Sequence, residues 1–194
     1  GVIIVDNASS QFQLVDSGQP KRLPFFAKEQ KKVYKMVFDN VEWTEIITST
    51  SYGIPVQSAF CKLAGEGNGK AIWTVNVQKA GKYEVFFYHQ FLSMTGPPVS
   101  SVFTGSLLHY RICNEVLDEN VVVEADLVPE GWVSLGKFDF SVGEVQVILD
   151  DRGGNIRMDA EDQNLNVIVS STEQSLPKQQ LIIADAVKLV RVKE

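Results

Sequence analysis

The chain has 194 residues, with 18 Lys+Arg against 24 Asp+Glu and a formal net charge of −6. Hydrophobic residues make up 44% and charged residues 22%, ordinary globular values that argue against a disordered or fibrous chain. The acidic balance argues against nucleic acid as the main partner, since phosphate binding needs a basic face, and no stretch approaches the ~18 apolar residues of a membrane span.

The chain opens on a strand-like run, Gly1–Asn7 (GVIIVDN). No charged segment and apolar stretch of a signal peptide precede it, so it reads as a mature or excised piece. Lys28–Lys35 (KEQKKVYK) is the one short helical candidate and the densest basic run. It is too short and too mixed in charge to make a nucleic-acid site. From there period-two patterning dominates. Val33–Phe38 and Trp43–Thr48 read as strands, and Lys70–Val77 places Ala71, Trp73, Val75 and Val77 on one face. Tyr83–Tyr88 (YEVFFY) is aromatic and apolar on both faces, the pattern of a strand covered on both sides. Leu107–Cys113, Asn120–Asp126, Trp132–Phe140, Glu144–Asp150, Leu165–Ser170 and Leu181–Val192 follow, rich in Val, Ile, Phe and Thr. Gly-, Pro- and Asn-containing turns separate them, such as Ala80-Gly81-Lys82 and Pro129-Glu130-Gly131. With helical period scarce, the pattern predicts one all-β domain over 1–194, an antiparallel β-sandwich of jelly-roll type. Three long loop excursions interrupt it, Phe12–Glu29, Phe91–Ser106 and Asp151–Lys178. Such excursions gather at the ends or edge of a sandwich, where binding sites are built.

Chemistry-bearing patterns are sparse. There is no G-x-S-x-G, and the two histidines, His89 and His109, each sit beside a tyrosine. On a strand, sequence neighbours point to opposite faces, so neither pair can act as one acid/base dyad. The carboxylate pairs Asp118/Glu119, Asp150/Asp151 and Glu161/Asp162 fall in turn-like acidic surroundings and read as solvated charges rather than a glycosidase pair. Asp150–Asp162 (DDRGGNIRMDAED) has the oxygen-rich composition that calcium prefers, but the ligand spacing of a calcium loop fails at Gly153. It reads as a polar excursion, and no cofactor or metal is expected. Cys61 and Cys113 are either buried free thiols or one disulfide. No enzyme follows from these residues.

Rings that could stack on the C–H face of a pyranose are the remaining signal. Trp73 lies on an apolar strand face and is expected in the core; Trp132, after Gly131, is expected in the core or half-buried. Trp43, Tyr52 and Phe91, in loops or beside them, are the candidate ligand-binding residues.

Several segments read together resemble the golvesin/xanthan-lyase carbohydrate-binding-like domain. They are Gly131-Trp132-Val133-Ser134-Leu135-Gly136-Lys137-Phe138-Asp139-Phe140, then Gly143, Val145, Val147, Leu149 and Asp150, and the closing Ala184-Asp185-Ala186-Val187. Val5-Asp6-Asn7, Trp73 and His109-Tyr110-Arg111-Ile112 fall in the family's order. The chain departs from the pattern by extra residues before Trp43 and a long insert between Asp150 and Ile183. The resemblance implies a jelly-roll module of secreted, periplasmic or cell-surface bacterial proteins, ancillary to polysaccharide processing, with a polysaccharide or glycan as partner. It implies no lyase activity. The alternative is a structural module that binds a neighbouring domain or protein, and a weaker third is a small polysaccharide-acting enzyme. Within the motif, Gly136 is expected to bend its strand. Asp185, inside an apolar run, is expected to be buried and to accept backbone N–H groups.

Overall fold

The computed structural model describes residues 1–16, 42–53, 57–96, 100–103, 107–153 and 178–193. The candidate helix Lys28–Lys35, the strands Val33–Phe38 and Leu165–Ser170, and most of the acidic segment Asp150–Asp162 lie outside them.

Strand is the dominant element of the described residues, which form a β-sandwich. Its four-stranded sheet has the order β1 (Val2–Asp6), β14 (Ala186–Arg191), β6 (Gly81–His89), β11 (Gly131–Phe140). The opposing five-stranded sheet runs β10 (Asp118–Glu124), β9 (Leu107–Cys113), β12 (Gly143–Asp150), β5 (Lys70–Val77), β2 (Phe12–Val15). The connections β5–β6, β10–β11 and β11–β12 cross from one sheet to the other, the traffic of the jelly-roll type the patterning predicts. A third sheet adjoins them: β3 (Thr44–Ile47), β4 (Ser58–Leu63), β13 (Lys178–Ala184), β8 (Ser100–Phe103), β7 (Ser93–Gly96). Here β8 and β13 pair in parallel, whereas every other pairing among the described strands is antiparallel. Strands β7 and β8 occupy part of the stretch expected as the loop excursion Phe91–Ser106, and β2 begins the excursion Phe12–Glu29.

The alternation that marks each strand decides its inward face. Ala71, Trp73, Val75 and Val77 of β5 meet Val145, Val147 and Leu149 of β12 on one side of the core. Tyr83, Val85 and Phe87 of β6 and Val187 and Leu189 of β14 face them from the other sheet. Each fully buried large apolar side chain contributes about 1.5–3 kcal/mol, and this interior holds most of them. A smaller cluster of Ala59, Cys61, Leu181 and Ile183 lies on the far side of the third sheet. Cys61, buried on β4, and Cys113, half-buried on β9, are not joined by a disulfide.

Two motif residues do what the sequence expects. Gly136 carries φ +127 at the point where the β11–β6 register shifts, a bulge that only glycine tolerates without strain. Asp185 splits the apolar run Leu181–Val192 into β13 and β14 and is 2% exposed.

Candidate functional site

Trp43 differs from its expected role. Its ring is 8% exposed and packs in the main core, with the Lys62 ammonium 5.9 Å from the ring centroid and its backbone N–H donating to Asp16 Oδ1. Pairing of the adjacent Thr44 with Cys61 brings the tryptophan over the interior, so it offers no open face for stacking. Phe91 is 48% exposed just beyond β6, its N–H donating to Glu130 Oε1 at 2.9 Å.

Tyr52 stands in a half-buried aromatic group on the outer face of the four-stranded sheet. Its ring centroid is 5.1 Å from Trp132 and 5.5 Å from Tyr88, and Tyr88 is 5.2 Å from Trp132. The register β6–β11 sets Tyr88 directly opposite Trp132, and Lys188 of β14 faces Phe86 one pair along. The Lys188 ammonium lies 4.4 Å from the Trp132 centroid and 4.6 Å from that of Phe86. Desolvation on these rings lowers its pKa, while Glu84 opposes the shift. Both faces of β6 are thus apolar for different reasons: Tyr83, Val85 and Phe87 enter the core, while Phe86 and Tyr88 carry this outer group. No ring contact joins Phe91 to Tyr52, Tyr88 or Trp132 among the described residues.

A buried polar relay fixes Tyr52. Asp185 Oδ2 accepts the Tyr52 N–H at 3.0 Å and Gln90 Nε2 at 2.9 Å. Gln90 Oε1 in turn accepts the Thr50 hydroxyl at 3.1 Å, and the Asp185 carbonyl accepts Trp73 Nε1 at 3.2 Å. Asp185 Oδ1 has no hydrogen-bond partner among the described residues. Burial, reinforced by the nearby Asp6 carboxylate and opposed by the two N–H donors, pushes the Asp185 carboxyl up to about 7. Burial and the charge of Asp185 hold the Tyr110 phenol well above its ordinary range.

The five-stranded sheet presents a different outer face. An open groove of about 330 Å³ is lined by Glu66, Lys70, Arg111, Asn120, Asp150 and Arg152, with Ile148 at its floor. Arg111 forks onto Asp118 at 2.6 and 2.7 Å, and Arg152 onto Asp150 at 2.6–3.0 Å. These bonds raise both guanidinium pKa values further. The wall of this groove is tied inward by Asp151, which forms a buried ion pair with Lys62 and accepts the Gly67 N–H through Oδ1 at 2.6 Å. Gly65 and Gly69 pass so close to this carboxylate that a Cβ on either would collide with it.

His89 points inward from β6 against Phe87, and burial lowers its pKa; His109 stands on the outer face of β9, where burial and Arg152 lower its own. Tyr88 and His89 therefore face opposite sides of their sheet, as the strand geometry requires.

The sequence reading singled out Tyr52 but missed Tyr88 and Lys188. Their signal was present in the alternation of YEVFFY and AVKLVR, once each strand's inward face is fixed. No protein-family profile matches the chain, and no curated protein matches it. Among solved structures, a xanthan lyase from Paenibacillus aligns over 99% of this chain at TM-score 0.60 and 17% identity. The chain spans 13% of that enzyme, and the likeness shows the shared fold. Lower-scoring alignments are a Podospora anserina GH26-CBM35 β-mannanase (TM-score 0.42, 10% identity, 81% of this chain and 27% of that one) and a Paenibacillus cycloisomaltooligosaccharide glucanotransferase (0.35, 10%, 79% and 17%).

Proposed function

We propose that this chain is a non-catalytic carbohydrate-binding module of a secreted or surface bacterial protein, ancillary to polysaccharide processing. The observation that carries the reading is the group Tyr52, Tyr88 and Trp132. These rings hold one another at 5.1–5.5 Å on an outer sheet face with an ammonium beside them. Rigid aromatic faces stack on pyranose C–H groups, and a neighbouring cation donates to hydroxyls or a carboxylate. Asp185 and Gln90 fix the loop that brings Tyr52, so the arrangement is preorganised and loses little freedom on binding. The sandwich fold shared with part of a polysaccharide lyase supports the same reading by analogy alone.

A second reading rests on Val2 and Ile4, 60% and 41% exposed on the adjoining strand β1. They extend this face with aliphatic surface and favour a neighbouring domain or protein as its cover. A glycan-array screen of the purified chain, followed by calorimetry on each hit, separates the two. Saturable binding that Trp132→Ala diminishes, with circular dichroism unchanged, is the expected result. Silence across neutral and acidic glycans contradicts it and favours the protein partner.

A further inference from the structure

Resting on the carbohydrate reading but not on its site, we infer that the groove on the five-stranded sheet is a second, separate saccharide site, and that it takes neutral rather than acidic chains. The groove, of about 330 Å³, lies on the sheet opposite the aromatic face and shares no residue with it. Its floor is Ile148, beside Arg111 of β9 in register, and offers an aliphatic surface against which a sugar C–H face can lie.

The walls decide the ligand. The lining holds three cations, Lys70, Arg111 and Arg152, and two carboxylates, Glu66 and Asp150, and the carboxylate of Asp118, outside the lining, offsets the third cation through its ion pair with Arg111. Charge is balanced, so a polyanion gains nothing from the cations that it does not lose to the carboxylates. Each hydroxyl of a neutral sugar is both donor and acceptor and can use both signs. The forked pairs hold the guanidiniums in place: each spends two of its five N–H donors on its carboxylate and keeps three for a ligand. Asn120, directly across the ladder from Arg111, adds an amide that donates and accepts. The buried Lys62–Asp151 pair fastens the Gly67 turn that forms one wall, so the groove is built before a ligand arrives. The aromatic face lacks this donor and acceptor density, and the groove has no ring among its described lining residues.

The test is calorimetry of the whole chain with a neutral glucan, a neutral mannan and a polyuronate of matched length, each at low and high NaCl. The variants are Arg152→Ala and Arg111→Ala for the groove and Trp132→Ala for the aromatic face, with folding checked by circular dichroism. The expected result is binding of a neutral chain with little salt dependence. It weakens about tenfold in either arginine variant and persists in Trp132→Ala at reduced stoichiometry. Neutral binding that Trp132→Ala abolishes and the arginine variants leave intact overturns the groove while sparing the aromatic site. Preference for the polyuronate with steep salt dependence overturns the ligand class. No heat with any glycan overturns both sites.

Discussion

Two aspartates, both about 98% buried, anchor the two outer faces of this sandwich, and they meet the cost of burial differently. Asp151, beneath the charged groove, is paired with Lys62 and takes one backbone N–H from Gly67. Among the described residues, Asp185, beneath the aromatic face, has no cation paired with it. It accepts from Tyr52 N–H and Gln90, and its carboxyl is pushed up to about 7. A buried carboxylate can keep its charge with a counter-ion or give the charge up by binding a proton. The groove side supplies Asp151 with a counter-ion, whereas the aromatic side leaves Asp185 to rise to about 7.

The largest expected effect breaks the groove's anchor. Lys62→Ala leaves Asp151 buried without its counter-ion, which costs about 3–5 kcal/mol; the denaturant midpoint should fall accordingly, and an unchanged midpoint would mean that Asp151 reaches solvent. The aromatic anchor responds to pH instead. Its folded pKa of about 7 lies above the unfolded value of 3.8. Stability from this group is therefore full below about pH 4 and is lost as pH rises toward about pH 7 and beyond. At 1.36 kcal/mol per tenfold the whole span is worth at most about 4 kcal/mol. Asp185→Asn, which keeps an acceptor for Tyr52 and cannot ionise, should flatten the melting temperature between about pH 5 and about pH 8. Asp185→Ala removes the acceptor altogether and should lower stability at both. A pH profile unaltered by Asp185→Asn would contradict the account.

Trp132→Ala ranks third. It removes two edge-on ring contacts on a half-exposed face, about 1–3 kcal/mol in all; Tyr88→Leu should cost less, and chemical denaturation ranks them. The smallest effect is expected from Arg111→Ala. Its ion pair with Asp118 is solvent-exposed, and such pairs contribute little to stability, so the melting temperature should not move even though groove binding does.

Much of the sandwich was legible because one buried face per strand writes a period of two into the sequence, as in KAIWTVNV and GEVQVILD. Strand β4, SAFCKL, escaped because it is covered on both sides and shows no alternation. Asp185 and Gly136 were legible for a local reason: a carboxylate in an apolar run needs donors, and a glycine inside a strand pattern marks a bulge. The aromatic site was half legible. Trp43 looked open because the sequence does not show that its strand pairs with β4 and turns it over the core, and Tyr88 looked covered because its partner across the ladder, Trp132, is 44 residues away. The groove was invisible for the same reason, since Arg111, Ile148 and Lys70 become neighbours only through the β9–β12–β5 register.

The most direct test of the central claim is amide chemical-shift mapping during titration with a neutral oligosaccharide. The account predicts two separate sets of shifted residues, one around Tyr52, Tyr88 and Trp132 and one around Lys70, Arg111 and Arg152. A titration that reaches ligand excess and moves neither set would contradict it.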